Sequence, residues 1–229
     1  MLRSLTPLLL VAVPVALVAA PVPKNEAMER VRAKFGEVVE RAGCKLEIAS
    51  DDLLTLRLDG YAPKTTKATE CGVRFRRTVT GDFTATVHYA IKSDLVELRS
   101  TDPFPRLTVG WRLRGADATV WFERKHRAEP VVRPGGVVVT TAAFHTAVAQ
   151  GGKGSSSATS SLRFEATGTQ LRLTRAGDDL RFAFRDGSGE WRQVDEVSVP
   201  LGETVALDLL AESTVGEPVA VTFDQFVVK

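Results

Sequence analysis

The sequence predicts an all-β protein, an antiparallel sandwich or barrel preceded by one short N-terminal helix. After Gly43, apolar residues recur at every second position in many short runs, which is typical of half-buried strands. Turn signals rich in glycine, aspartate and proline separate these runs. No segment with helical spacing comes between them, which favours a sandwich or barrel over an α/β fold.

The N-terminus, residues 1–20, is predicted to be a signal peptide. Arg3 supplies a positive charge, an apolar stretch runs from Leu8 to Ala20, and small residues at its end offer a cleavage site. Pro21 would follow the cleaved bond and disfavours cleavage, so an uncleaved N-terminal anchor is the alternative. We therefore expect an exported protein, periplasmic, cell-surface or secreted, with no membrane span unless that anchor is retained.

A spacer and the helix are predicted over residues 21–43. Two prolines make the start of this segment stiff, and Asn25 fits the N-cap of a helix that ends before Gly43. The apolar residues at helical spacing are Met28, Val31, Phe35, Val38 and Val39. We expect this helix to pack against one edge or end of the sandwich.

The remaining residues, 44–229, are predicted to form one sandwich domain. Its clearest strand runs from Phe83 to Ile91, with apolar residues on one side and Thr84, Thr86 and His88 on the other. Alternation or β-rich composition predicts further strands over 107–113, 120–122, 137–143, 171–174, 180–184, 205–210 and 219–228.

The charge of the chain limits its possible binding partners, and its two cysteines bear on the redox conditions in which it folds. The 229-residue chain has 25% charged residues and a net charge of +2, which argues against a nucleic-acid partner. Arginine outnumbers lysine, which fits either a GC-rich genome or recognition of carboxylate or sulfate groups by the guanidinium fork. Cys44 and Cys71 are predicted to form a disulfide in an exported protein; two separate buried thiols are the alternative.

Four short segments resemble motifs of concanavalin A-like sandwich domains. The segment 81–87 is similar to a G-D-F-x-hydrophobic strand, and 171–182 to an LRLxRxG hairpin. Residues 186–191 resemble a DGxxW turn with one extra residue before the tryptophan, and 221–228 a terminal hxFDxFxh strand. The nearest resemblance is to planctomycete domains of unknown function. It implies a jelly roll of two curved antiparallel sheets, with carbohydrate binding common among distant members, and it transfers no catalytic residue.

Catalytic machinery is not predicted. A glycosidase on such a sandwich needs two carboxylates on one strand face, and no predicted strand has two acids at i and i+2. The nearest acidic cluster, Glu190, Asp195 and Glu196, lies around a turn. The three histidines form no zinc motif and no G-x-S-x-G motif occurs, so we expect neither a metal nor a cofactor.

Trp121 is the leading candidate for a ligand-binding residue. It alternates with the apolar Val120 and Phe122, and so shares a strand face with Thr119, Glu123 and Lys125. A tryptophan among polar groups can stack on a sugar ring while Glu123 and Lys125 bind its hydroxyls. The alternative is that the N-terminal helix or a long loop covers this face.

His88 is the other candidate for ligand binding, and Trp111, among apolar neighbours, is predicted to be core. The sequence therefore predicts a non-catalytic exported binding or interaction module, with carbohydrate as the candidate ligand. Two alternatives stay open. One is a structural envelope protein without a small ligand, and the other is a divergent glycoside hydrolase whose carboxylates come from different strands.

Overall fold

The computed structural model describes residues 24–50, 53–59, 71–92, 106–129, 139–163, 168–214 and 218–229. Within these ranges the chain forms one helix followed by fourteen strands. They are α1 (Lys24–Phe35), β1 (Glu37–Ala42), β2 (Cys44–Ser50), β3 (Leu53–Leu58), β4 (Cys71–Thr80), β5 (Phe83–Ile91), β6 (Arg106–Arg114), β7 (Ala118–Glu129), β8 (Val139–Gln150), β9 (Lys153–Arg163), β10 (Thr169–Ala176), β11 (Asp179–Asp186), β12 (Arg192–Ser198), β13 (Thr204–Ser213) and β14 (Val219–Val228).

The strands form two seven-stranded antiparallel sheets. Sheet A has the order β1-β4-β13-β6-β7-β8-β9, and sheet B has the order β12-β11-β10-β5-β14-β3-β2. Aromatic rings join their inner faces: Phe122 of sheet A stacks on Phe182 of sheet B with ring centroids 4.7 Å apart. Trp111 is fully buried against Phe226, which confirms its predicted place in the core. The predicted all-β antiparallel sandwich is confirmed.

The helix is shorter than the sequence predicted. It ends at Phe35, and the Gly36 N–H donates to the Arg32 carbonyl (3.0 Å) with Gly36 at φ 101°. The prediction that the helix continues to Gly43 is wrong, because residues 37–42 form β1, which pairs with β4. Val38 and Val39 are both β-branched, and such residues suit a strand better than a helix. The sandwich therefore begins before Cys44.

The helix closes one side of the space between the sheets. Val31 and Phe35 are buried, and the Phe35 ring lies 5.7 Å from Phe75 of sheet A and 5.6 Å from Phe226 of sheet B. The predicted packing against an edge of the sandwich is confirmed, and the helix does not supply a cover for Trp121. No helix within the described ranges is long and apolar enough to cross a membrane. The predicted signal peptide, residues 1–20, lies outside those ranges.

One end of the interior between the sheets is polar. Arg124 of β7 is only 1% exposed and points inward, with its guanidinium 5.1 Å from the Phe144 ring centroid and 5.6 Å from that of Phe184. It donates to Asp186 (2.8 Å) and to the Thr169 hydroxyl. A buried charge needs such partners. Arg124 thereby links β7 of sheet A to β10 and β11 of sheet B.

A buried Tyr–His pair lies beside this arginine. The Tyr89 hydroxyl and His126 Nε2 are 2.9 Å apart, and both residues are 1% exposed. Burial, reinforced by the charge of Arg124, lowers the pKa of His126 well below its usual value. The imidazole is therefore neutral at physiological pH.

The two cysteines lie at the junction of the sheets. Cys44 begins β2 of sheet B and Cys71 begins β4 of sheet A. A Cβ atom placed on Gly43 would lie 2.6 Å from Cys71 Sγ, so the backbone next to Cys44 already contacts the second thiol. No disulfide joins them in the structure, and their bond stays a prediction. Burial, with the nearby charge of Asp59, raises the pKa of Cys71.

We predict that Cys44 and Cys71 are bonded after export, when the surroundings are oxidising. Iodoacetamide treatment of the denatured, unreduced protein should modify neither cysteine, and reduction beforehand should make both reactive. Denaturation is needed because the raised pKa keeps the Cys71 thiol protonated and slow to react in the native protein. Two modified cysteines without reduction would refute the bond.

Candidate functional site

Trp121 lies on the outer face of sheet A. In β7, Val120 and Phe122 are fully buried in the core, whereas Trp121 is half-buried and points the other way. Alternation places Glu123 and Lys125 on the same outer face, as the sequence predicted. We call the outward side chains of β4, β13, β6 and β7 the Trp121 face.

Strand pairing sets charged residues in a row beside Trp121. Trp121 pairs with Arg112 of β6, Arg112 with Asp208 of β13, and Asp208 with Arg76 of β4. Neighbouring strands lie about 4.8 Å apart, so this row runs from an aromatic ring to a carboxylate across two strands. The side chains along the row are, in order, a tryptophan, an arginine, an aspartate and a second arginine.

Asp208 is the centre of an ion-pair network. Its side chain has 0% exposure. Arg76 donates to both of its carboxylate oxygens, from Nε at 2.7 Å and from Nη2 at 3.0 Å. Arg114 Nη2 lies 3.3 Å away and Arg74 Nε 3.9 Å away, and Arg74 also donates to Glu212 at 3.2 Å. Both acids of β13 on this face are therefore neutralised by arginine.

Arg112 is placed differently from the arginines around Asp208. No ion-pair partner of Arg112 occurs among the residues that the structure describes, and its Nε is buried without a hydrogen bond there. Its guanidinium lies 5.7 Å from the Trp121 ring centroid. Burial lowers the pKa of neighbouring Arg114, and the charges of Arg76, Arg74 and Arg112 lower it further against the opposing effect of Asp208. Arg112 and Arg114 therefore place two positive charges at alternate positions of β6.

The other side of the face is built around Glu123. Lys125 Nζ lies 3.3 Å from Glu123 Oε2, and Glu123 is buried. Its cross-strand neighbour is Gly110, where a Cβ would lie 2.2 Å from the Phe122 carbonyl oxygen. Only glycine permits this close approach of β6 and β7. The face thus lacks a side chain between Leu210 of β13 and Glu123.

His88 does not belong to the Trp121 face. It points from the outer face of sheet B, where its Nδ1 lies 2.7 Å from Asp224 Oδ1. The third tryptophan, Trp191, is on this side too, with the guanidinium groups of Arg172 and Arg185 lying 4.2 and 4.9 Å from its ring centroid. The structure therefore separates His88 from the other three candidate ligand-binding residues by the full thickness of the sandwich.

The sequence analysis missed the charged residues of β4, β6 and β13. Asp208 was a usable signal, because a lone acid in the apolar run from Val205 to Ala211 indicates a buried charge that needs a cation. Arg112 and Arg114 flank Leu113 at alternate positions, which is a further signal of an outward basic pair. Which strands lie side by side could not be read from the sequence, so the network itself could not be predicted.

Comparisons with known proteins reveal similarity in fold and none in sequence family. No protein-family model matches the chain, and no curated protein matches its sequence. A functionally unknown protein from Saccharomyces cerevisiae is similar in structure, with a TM-score of 0.56, 14% identity, and coverage of 86% of this chain and 97% of that one. The alginate lyase from Klebsiella pneumoniae has a TM-score of 0.53 and 10% identity, covering 83% of this chain and 85% of that one.

A third similar structure is the CBM2 module of the evolved Dit of Lactobacillus casei BL23 phage J-1. Its TM-score is 0.50 and its identity 11%, covering 81% of this chain and 80% of that one. The fold is a jelly-roll sandwich. At identities of 10–14% the likeness extends to architecture alone.

Proposed function

We propose that this protein is a non-catalytic glycan-binding module whose ligand lies on the Trp121 face. One observation carries the proposal: a half-buried tryptophan on the outside of a sheet, surrounded by charged side chains that are held in place. The apolar faces of a sugar ring stack on an indole, and its hydroxyls bind fixed charged groups. Proteins with this jelly-roll fold include an alginate lyase and a CBM2 module, which supports a role with glycans.

The carboxylates of the face favour binding over hydrolysis. Asp208 and Glu212 share one face of β13 at i and i+4, a spacing that a glycosidase can use. Asp208 is fully buried under three arginines and Glu212 is paired with Arg74, while Glu123 is paired with Lys125. A general acid must hold a proton and a nucleophile must reach the sugar. These ion pairs oppose both requirements.

Export is part of the proposal and rests on the sequence. The charged start, the apolar stretch to Ala20 and the small residues at its end are the features of a signal peptide. Glycans that such a module would meet outside the cytoplasm include those of cell walls and envelopes. The resemblance to planctomycete domains is likewise a proposal from the four sequence motifs.

Trp121→Ala tests the proposal. Retention on immobilised polysaccharides should be lost in this variant and kept in Trp191→Ala, the matched change on the opposite sheet. Because Trp121 is half-buried, its loss should shift the melting temperature little. Truncating the buried Trp111 would instead cost about 3–5 kcal/mol. Unchanged retention in Trp121→Ala, or a loss of stability as large as that of Trp111→Ala, would contradict the assignment.

A further inference from the structure

We infer that the glycan bound on the Trp121 face carries uronic acid carboxylates, and that Arg112 is the residue that recognises them. This inference rests on the proposed function and names its ligand class. It follows from one contrast within the face. Three of its arginines, Arg74, Arg76 and Arg114, are paired with Asp208, whereas Arg112 has no carboxylate partner among the described residues.

The first argument is electrostatic. Arg112 and Arg114 are two residues apart on β6 and point to the same side. Asp208 and Glu212 together face Arg74, Arg76 and Arg114, so two negative charges face three positive ones before Arg112 is considered. An added anion at Arg112 would relieve this excess.

The second argument is geometric. Arg112 and Trp121 are cross-strand partners, with the guanidinium 5.7 Å from the ring centroid. The guanidinium lies over the indole ring, so the C5 substituent of a pyranose that contacts the indole can lie beside this cation. In a neutral sugar that substituent is a hydroxymethyl group, and in a uronate it is a carboxylate. The aromatic ring and the cation are therefore spaced for one acidic sugar residue.

The third argument selects carboxylate over sulfate. The guanidinium fork matches the two coplanar oxygens of a carboxylate. The same face contains an example of this pairing, since Arg76 holds both oxygens of Asp208 through Nε and Nη2 at 2.7 and 3.0 Å. Because Nε of Arg112 is buried, a ligand carboxylate would be bound by the terminal nitrogens of its guanidinium.

The test is binding of the full chain to a panel of polymers, measured by isothermal titration calorimetry at several NaCl concentrations. The panel contains three polyuronates (polygalacturonate, alginate and polyglucuronate), a sulfated galactan, a neutral galactan and polyglutamate. We expect at least one polyuronate to bind more tightly than every other polymer. Arg112→Gln should weaken that binding about tenfold to a hundredfold, and Arg112→Lys should weaken it less because charge remains without the fork. Salt should weaken it as well.

Arg172→Gln is the matched control, because Arg172 lies over Trp191 on sheet B and its loss removes the same charge. It should leave the affinity for the polyuronate unchanged. Neutral galactan bound as tightly as the polyuronates, with dependence on Trp121, would overturn the inference and leave the proposed function standing. Preference for the sulfated galactan, or equal binding of polyglutamate, would also overturn it. If no polysaccharide depends on Trp121 for binding, both fail.

Discussion

Arg124→Met should destabilise the protein by about 3–5 kcal/mol, because it leaves the Asp186 carboxylate without its cation between the two sheets. The arginine is 1% exposed and its guanidinium lies over the Phe144 and Phe184 rings, so water has little access to that position. Methionine keeps much of the volume and the apolar contact with both rings. Chemical denaturation monitored by tryptophan fluorescence measures the loss.

Two further variants separate charge from packing in this prediction. Arg181→Met removes an arginine from an exposed ion pair with Glu196, and should cost at most about 1 kcal/mol. Adding Asp186→Asn to Arg124→Met removes the unpaired carboxylate, and should restore part of the lost stability. If Arg124→Met is no more harmful than Arg181→Met, the buried pair does not link the sheets as described.

Asp208→Asn should be the most damaging neutralisation of a charge on the outer face of sheet A, with a cost of about 3 kcal/mol. Asp208 is fully buried, and Arg76, Arg114 and Arg74 all lie within 3.9 Å of its carboxylate. Neutralising it leaves three guanidinium groups to repel one another. Those groups are partly exposed, so solvent lowers the penalty from that of a wholly buried cluster.

Glu47→Gln is the control for Asp208→Asn. Glu47 pairs with Arg57 on the exposed outer side of sheet B, with both side chains about half exposed. Its neutralisation should cost no more than about 1 kcal/mol. Thermal melting of the two variants compares a buried carboxylate with an exposed one. Equal losses in the two would contradict the central role of Asp208.

The architecture was predictable because its cause is local. Alternation along each strand, as in Phe83 to Ile91, follows from one buried and one outer face, and the structure shows this pattern in β5 without exception. The end of the helix was mispredicted for an equally physical reason. Val38 fits the helical spacing of Val31 and Phe35, but pairing of β1 with β4 decides its conformation, and a distant strand is invisible in local periodicity.

The candidate site was predictable only along one strand. The outward orientation of Trp121, Glu123 and Lys125 follows from β7 alone. Arg112 and Asp208 reach Trp121 through the order β13-β6-β7, and residues 112 and 208 are far apart in the chain. His88 was grouped with Trp121 because both share a face with polar residues, yet strand order places them on opposite sheets.

Oxidative footprinting of the tryptophans tests the central claim most directly. Trp121 and Trp191 are both half-buried and lie on opposite outer faces. Trp111 is fully buried and serves as the internal control that should not be oxidised. Hydroxyl-radical labelling, read by mass spectrometry, is carried out with and without a polysaccharide that the protein retains. The account predicts slower oxidation of Trp121 when the polysaccharide is bound and an unchanged rate for Trp191. Protection of Trp191 with Trp121 unaffected would contradict it.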